Sequence, residues 1–285
     1  MNIDWDMPSE PEFKPIGVWG WLRVLLRGPV FAIVVFGSLL VNLPLRAVER
    51  LFFGMHRPIT PYITQFAARQ ALRVLGLGFV VHGERMKERG AVVANHCSWL
   101  DIFTMNAGKR IYFVSKSEVA GWPGIGTLAK STGTVFINRT RKDAKIQQTQ
   151  FEERLLAGHK LLFFPEGTST DGMVVLPFKS TLFQAFFSEE LRHEMHIQPV
   201  SMVYWGPKNG DPRFYGWWGG MDFGAHMLRV LAAPKQGRVE VTYHPPVRVD
   251  DFANRKSLAS HVEATVRSAM PLNRQKNGLT SPTQK

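Results

Sequence analysis

The apolar residues of this chain change texture along its length. Residues 28–45, GPVFAIVVFGSLLVNLPL, are 18 consecutive uncharged and mostly apolar positions bracketed by Arg27 and Arg46. A spanning helix needs about 20 such residues, so the stretch is borderline, and Pro29, Gly37, Asn42 and Pro44 weaken a straight helix through it. Trp19, Trp21 and the flanking arginines have the character of interfacial anchors. A buried core helix is the alternative, and the cationic residues on both sides leave orientation open. After Pro61, the recurrence of Ile63, Phe66, Ala67, Leu72, Val74 and Leu75 around Arg69 and Arg73 predicts an amphipathic helix. From Gly78 onward, GFVVHG, AVVAN, IYFVSK, TVFINR, KLLFFPEG, HIQPVSMVYW and RVEVTYHPPVRV read as strands. Helices are predicted near 99–107, 143–158, 181–192 and 257–269. That alternation predicts an α/β fold with a mixed, largely parallel central sheet flanked by helices.

Composition narrows the partners. Of 285 residues, 45% are hydrophobic and 20% charged, which is globular composition. The formal net charge of +12 favours an anionic partner such as a lipid surface, a phosphorylated substrate or an acidic carrier. The basic residues are scattered and form no long run, which argues against nucleic acid. Asp4, Asp6, Glu10 and Glu12 argue against a signal peptide. A single cysteine, Cys97, excludes an intrachain disulfide framework and a CxxC metal site, and suits a reducing compartment.

Four blocks carry candidate chemistry. Asn95-His96-Cys97-Ser98-Trp99-Leu100-Asp101 follows an apolar strand, at the sheet edge where α/β folds bind ligands. In one continuous helix His96 and Asp101 would lie about 140° apart, so the pair must straddle a turn. Ser98 is placed as an N-cap with Asp101 as a capping-box acid, and the same turn brings the carboxylate to the imidazole, fixing its tautomer for removal of a proton. Phe163-Phe164-Pro165-Glu166-Gly167-Thr168-Ser169 ends a second apolar strand in a carboxylate, a close-approach glycine and hydroxyls. Gly133 through Arg139 ends a third in a residue suited to anions. Pro199, in Ile197-Gln198-Pro199-Val200, predicts an edge or bulge.

In this order the blocks NHxxxxD, GxxFIxR and FPEGT, with the proline block, resemble the lysophospholipid acyltransferase family over roughly residues 75–250. The resemblance implies direct acyl transfer from a thioester, without a covalent intermediate, metal or cofactor. It implies His96 as general base and Asp101 as its orienter. Asn95, Lys116, Arg139, Glu166, Gly167, Thr168 and Lys179 fall in the acceptor site. Four segments are implied: an acidic tail, 1–17; a membrane-associated helical segment, 18–77; a catalytic domain, 78–270; and a disordered polar tail, 271–285. Expected partners are membrane lipids, an acyl carrier protein or coenzyme A thioester as donor and a lyso-lipid acceptor. The expected place is the cytoplasmic face of a bacterial inner membrane.

The chain departs from phosphate-acceptor members after FPEGT, where many of them carry an arginine and it has Ser169-Thr170-Asp171-Gly172. Its GTST-DG-LPFKSTLF texture resembles the branch that acylates lyso-ornithine lipid, with Lys179 a partial substitute. Lysophosphatidic acid is the alternative acceptor; a phospholipid transacylase and a non-catalytic membrane scaffold are remoter readings. The aromatic stretch from Trp205 to Phe223 suits either a bilayer interface or acyl tunnel or an ordinary core. His82, His159, His193, His196, His226 and His244 have no partner spacing and read as structural or surface residues.

Overall fold

A computed structural model describes residues 7–138 and 144–274. In chain order the elements are α1 (Val18–Phe53), α2 (Thr60–Leu75), β1 (Gly78–His82), β2 (Gly90–Ala94), α3 (Asp101–Gly108), β3 (Tyr112–Lys116), α4 (Ile125–Thr132), β4 (Val135–Ile137), α5 (Ala144–Leu156), β5 (Leu161–Phe163), α6 (Glu189–Arg192), β6 (His196–Trp205), α7 (Phe223–Ala232), β7 (Arg238–Tyr243), β8 (Val247–Arg248) and α8 (Arg255–Ser268). The sheet order is β1-β7-β6-β2-β5-β3-β4, with β8 paired to β6. Strands β6, β2, β5, β3 and β4 run parallel, and β7 joins β6 antiparallel. The expected mixed, largely parallel sheet flanked by helices is the architecture found.

Strand β2 lies at the centre and is buried along its whole length. Its alternation feeds two cores, as the two-residue period of a strand requires. Val92 and Ala94 pack into the layer containing α2, α3 and α7, and Ala91 and Val93 into the layer containing α5 and α8. Gly90 opens β2 at φ 142°, where an added Cβ would stand 1.8 Å from the carbonyl oxygen of His196. The parallel pairing of Gly90 with His196 therefore admits no side chain there.

Several sequence expectations are corrected. Helix α1 runs unbroken for 36 residues, with Pro29 and Pro44 inside it, where a weakened stretch of half that length is predicted. Leu25, Leu26, Ile33, Leu40 and Leu51 are each at least 65% exposed, so α1 is no buried core helix. The helix predicted over 181–192 is a 3-10 segment, Ser180–Phe187, followed by the four-residue α6. Phe183 and Phe186 are both fully buried, and spacing of three suits the tighter helix. Helices α4 and α7 are not foreseen; Asp222 caps α7 through the Ala225 N–H at 2.6 Å.

Pro199 is not on an edge strand; it lies where the antiparallel flank of β6 is interrupted, two β6 residues standing opposite three, in keeping with the bulge expected. It pairs with Val93 of β2, and on its other flank falls between β8, which pairs to Ile197, and β7, which pairs from Val200. Its missing N–H costs nothing in that gap, which the buried Gln198 side chain fills by bonding Met86, Glu84 and His244.

The ends also differ from expectation. Within the predicted acidic tail, residues 7–17 pack on the domain, with Pro11 buried. Within the predicted disordered tail, Leu272–Arg274 form a 3-10 turn in which Arg274 is buried and donates to the Tyr204 carbonyl at 2.8 Å; residues from 275 lie outside the described residues. In the Trp205–Phe223 stretch Tyr215, Trp218 and Met221 are buried, and Phe214, Trp217 and Phe223 are half-buried against the core. Gly90→Ala is expected to lower stability by at least about 2 kcal/mol, read as an earlier thermal midpoint in detergent. An unshifted midpoint would contradict the β2–β6 register.

Candidate active site

Because β2 and β5 are parallel neighbours in register Ala91–Leu161 to Val93–Phe163, the residues after them emerge together at one sheet edge. Strands β3 and β4 end at the same edge, in Lys116 and Ile137. This carboxyl edge is where α/β sheets present ligand-binding residues. Three of the four motif blocks thus converge by topology alone, and the fourth, on β6, forms the next strand.

The polypeptide turns sharply between β2 and α3, and a buried carboxylate holds the turn. Asp101 Oδ2 accepts the His96 Nδ1–H at 2.6 Å, the Cys97 N–H at 2.9 Å and the Ser98 N–H at 3.1 Å. Asp101 is fully buried and the His96 side chain is 23% exposed. An ionised carboxylate only accepts, so Nδ1 carries the ring proton and Nε2 keeps a lone pair. The capping box is half realised: Asp101 reaches back to Ser98, but the Ser98 hydroxyl takes the Leu100 N–H at 3.2 Å. The imidazole stacks on Phe164, centroids 4.2 Å apart and planes 9° from parallel. Nothing in the sequence marks that stack.

Glu166 occupies a different place from the one the sequence suggests. It is fully buried, its Oε1 accepting the His96 N–H at 2.6 Å and its Oε2 the Leu176 N–H at 2.7 Å. Its side chain therefore meets the backbone of the histidine turn, where the sequence reading has it meet the acceptor. Burial pushes the carboxyl up to about 8, opposed by the two backbone donors and by Arg267. Asn95 is also internal: its amide exchanges two hydrogen bonds with the Met202 backbone, at 2.9 and 2.7 Å, tying β2 to β6.

Gly167, Thr168 and Lys179 gather on the outer lip of the next turn. Gly167 has φ 73°, and a Cβ there would stand 2.6 Å from Lys179 Nζ. The glycine thus lets the ammonium lie across the turn, while the Lys179 N–H donates to the Pro165 carbonyl at 3.0 Å. Thr168 and Lys116 are exposed, whereas Ser169 is buried. Arg139 lies outside the described residues.

Two loops complete the cradle. The Thr170 N–H donates to the His96 carbonyl at 2.9 Å, and the Trp217 N–H to the Cys97 carbonyl at 2.8 Å. Behind them the Trp99 indole donates to His226 Nδ1 at 2.9 Å, and burial holds His226 down to about 4. The Cys97 thiol is buried, and that burial followed by Asp101 pushes its pKa well up, which denies it a nucleophile's role. Among the described residues no three His, Cys, Asp or Glu side chains converge as a metal site.

An α/β sheet with a carboxylate-oriented histidine at its carboxyl edge, and an FPEGT turn beside it, defines an enzyme of the acyl-transferring class. The chain belongs to the acyltransferase family, whose model matches residues 78–203. It is 52% identical over 266 residues to the lyso-ornithine lipid O-acyltransferase of Rhodobacter capsulatus, covering 93% of this chain and 96% of the relative. A 1-acyl-sn-glycerol-3-phosphate acyltransferase of Neisseria gonorrhoeae is 44% identical, but over 95 residues that cover 33% of this chain and 37% of its own. In fold, the crystal structure of the 1-acyl-sn-glycerophosphate acyltransferase PlsC from Thermotoga maritima is similar, with TM-score 0.60 and 22% identity, covering 87% of this chain and 94% of that one.

A carboxyl raised to about 8 keeps, in the folded chain, a proton that an unfolded glutamate releases above its ordinary 4.5. Glu166 then favours folding fully below pH 4.5 and loses that contribution as pH rises through about 8. The wild-type melting temperature is expected to fall from pH 5 to pH 8, and Glu166→Gln, which cannot titrate, to fall less. Parallel slopes for the two proteins would assign the titration to another group.

Proposed function

We propose that this membrane-associated acyltransferase moves a fatty acyl chain from an acyl thioester to the free hydroxyl of a lyso-ornithine lipid, giving ornithine lipid. Its place is the cytoplasmic face of a bacterial inner membrane, with acyl carrier protein or coenzyme A carrying the acyl group. The observation that carries the chemistry is the 2.6 Å bond from His96 Nδ1 to buried Asp101, which leaves Nε2 as the base. Nε2 takes the acceptor's hydroxyl proton as that oxygen attacks the thioester carbonyl. Asp101 stabilises the imidazolium so formed. The tetrahedral intermediate then breaks its C–S bond, and the imidazolium returns the proton to the departing thiolate. A thioester is already activated, so positioning and a base suffice and no covalent enzyme intermediate is needed.

The acceptor assignment draws on two things. The likeness to a lyso-ornithine lipid enzyme spans nearly the whole chain, whereas the likeness to a glycerol-phosphate enzyme is confined to a third of it. In addition, Ser169 stands where many phosphate-acceptor enzymes place an arginine, and it is buried. Ornithine lipid offers a carboxylate in place of a phosphate dianion, and one ammonium, that of Lys179 beside Gly167, is the cation we assign to it. Lys116, Arg139 and Thr168 are the further acceptor contacts in this reading. Lysophosphatidic acid is the second reading, favoured by the fold of the Thermotoga enzyme and by the local match to the Neisseria one.

Membranes holding the protein, supplied with acyl carrier protein thioester and both lyso-lipids in competition, are expected to acylate the lyso-ornithine lipid first. Preference for lysophosphatidic acid would overturn the acceptor assignment while leaving the chemistry. His96→Ala is expected to lose roughly 10²–10⁴-fold in kcat, the range for a removed general base; near-wild-type turnover would remove His96 from that role. Lys179→Met is expected to weaken acceptor binding by about 1.5–3 kcal/mol, the worth of one charge-assisted bond, seen as a raised KM for the lyso-lipid. An unchanged KM would confine Lys179 to shaping the turn.

A further inference from the structure

The segment ahead of α1 reaches the active site through a short mechanical chain. Phe13 packs on a small core of its own, formed by Val174, Leu176, Trp218 and Met221. Its ring meets Phe214 edge-on at 5.9 Å and lies under the Arg229 guanidinium at 4.3 Å. Backbone carbonyls of the same segment accept two bonds from the 206–222 loop. The Trp218 indole donates to Pro8 at 3.1 Å and Arg213 to Ser9 at 3.2 Å.

Both partners of this segment also hold the histidine turn. Leu176, against which Phe13 packs, donates its N–H to Glu166 Oε2, and Glu166 Oε1 takes the His96 N–H. Trp217, next to Trp218, donates its N–H to the Cys97 carbonyl at 2.8 Å. Displacing Phe13 would loosen Leu176 and the tryptophan loop together, and each is one or two hydrogen bonds from the backbone of the histidine turn. A small error in placing a reacting group is costly in rate.

We propose that residues 7–13 are a positioning strap for His96, with Phe13 as its anchor; this rests on His96 being the base. The strap leads directly into α1, so it links the apolar helix to the catalytic turn. It contacts no reacting atom, and its effect is on kcat through the orientation of His96.

The test uses full-length protein in membranes, comparing wild type, Phe13→Ala, Phe13→Leu, Trp218→Phe and His96→Ala, with kcat and lyso-lipid KM measured per membrane-bound enzyme. Phe13→Ala is expected to lower kcat about tenfold or more at unchanged KM, in the range for a misplaced catalytic group. Phe13→Leu, which refills the small core, is expected to restore most of it. Trp218→Phe keeps the packing but loses the bond to Pro8, and is expected to lower kcat in the same direction without loss of membrane-bound protein. Unchanged kcat in both Phe13→Ala and Trp218→Phe, or a change confined to KM, would overturn the strap. An active His96→Ala would instead overturn the base assignment, so the two failures are distinguishable.

Discussion

The site depends on one buried oxygen. Asp101 Oδ2 gathers the imidazole N–H and two consecutive backbone N–H groups at 2.6–3.1 Å, closing a turn that joins the central strand to α3. Burying a carboxylate is expensive unless it is fully hydrogen-bonded, and here the donors come from the turn that the carboxylate itself shapes. The residues between are fitted to it. Cys97 is small and internal, the Ser98 hydroxyl satisfies the Leu100 N–H, and Trp99 packs between Phe103 of α3 and Phe223 of α7. Loss of the carboxylate would leave buried N–H groups unpaired and release the ring, so folding of the turn and tautomer of the base are one interaction.

The histidine turn is held from below as well as from within. Glu166 grips the His96 N–H, Thr170 the His96 carbonyl and Trp217 the Cys97 carbonyl, while Phe164 lies flat against the ring. The partners come from after β5 and after β6, strands that flank β2 in the sheet. Parallel neighbours in register deliver their carboxyl ends to one edge, and the histidine turn is the place where those ends interlock. In the proposed reaction, pre-organisation of this sort would hold His96 in place without spending binding energy on it at the moment of reaction.

How much of this was legible in the sequence follows from the range of each interaction. His96 and Asp101 are five residues apart, so local geometry alone required a turn and suggested the pairing. The strands were legible as short runs rich in β-branched and aromatic residues, and the sheet class from the order of elements. Glu166 was recognisable as part of the site, but its partners, His96 and Leu176, lie 70 and 10 residues away. No local pattern tells a carboxylate that faces a ligand from one that faces a backbone. Asn95 was misplaced for the same reason, since its partner Met202 is 107 residues distant. Pro199 marked an interruption in pairing, but that it falls between β7 and β8 rather than at a sheet edge cannot be seen until the register is known. The break in the helix predicted at 181–192 depends on Phe183 and Phe186 filling a core that only the tertiary fold defines.

Helix α1 is the element best suited to contact a membrane. At about 1.5 Å per residue its 36 residues extend about 54 Å, well beyond the ~30 Å hydrocarbon core of a bilayer. It is attached along its length: Arg27 donates to the Leu231 and Ala233 carbonyls near one end, and Phe31 packs on Phe103 further along. Phe36 reaches Gly124, and just past the helix Arg57 donates to the Ser131 carbonyl. By length and composition α1 is able to cross a bilayer, and these contacts tie it to the catalytic domain. Its outward residues Leu25, Leu26, Ile33, Leu40 and Leu51 are apolar and exposed, a surface suited to lipid. Phe31 and Phe103 join this helix to Trp99, three residues from His96, so the apolar helix and the sheet edge are coupled through one run of packed aromatic rings.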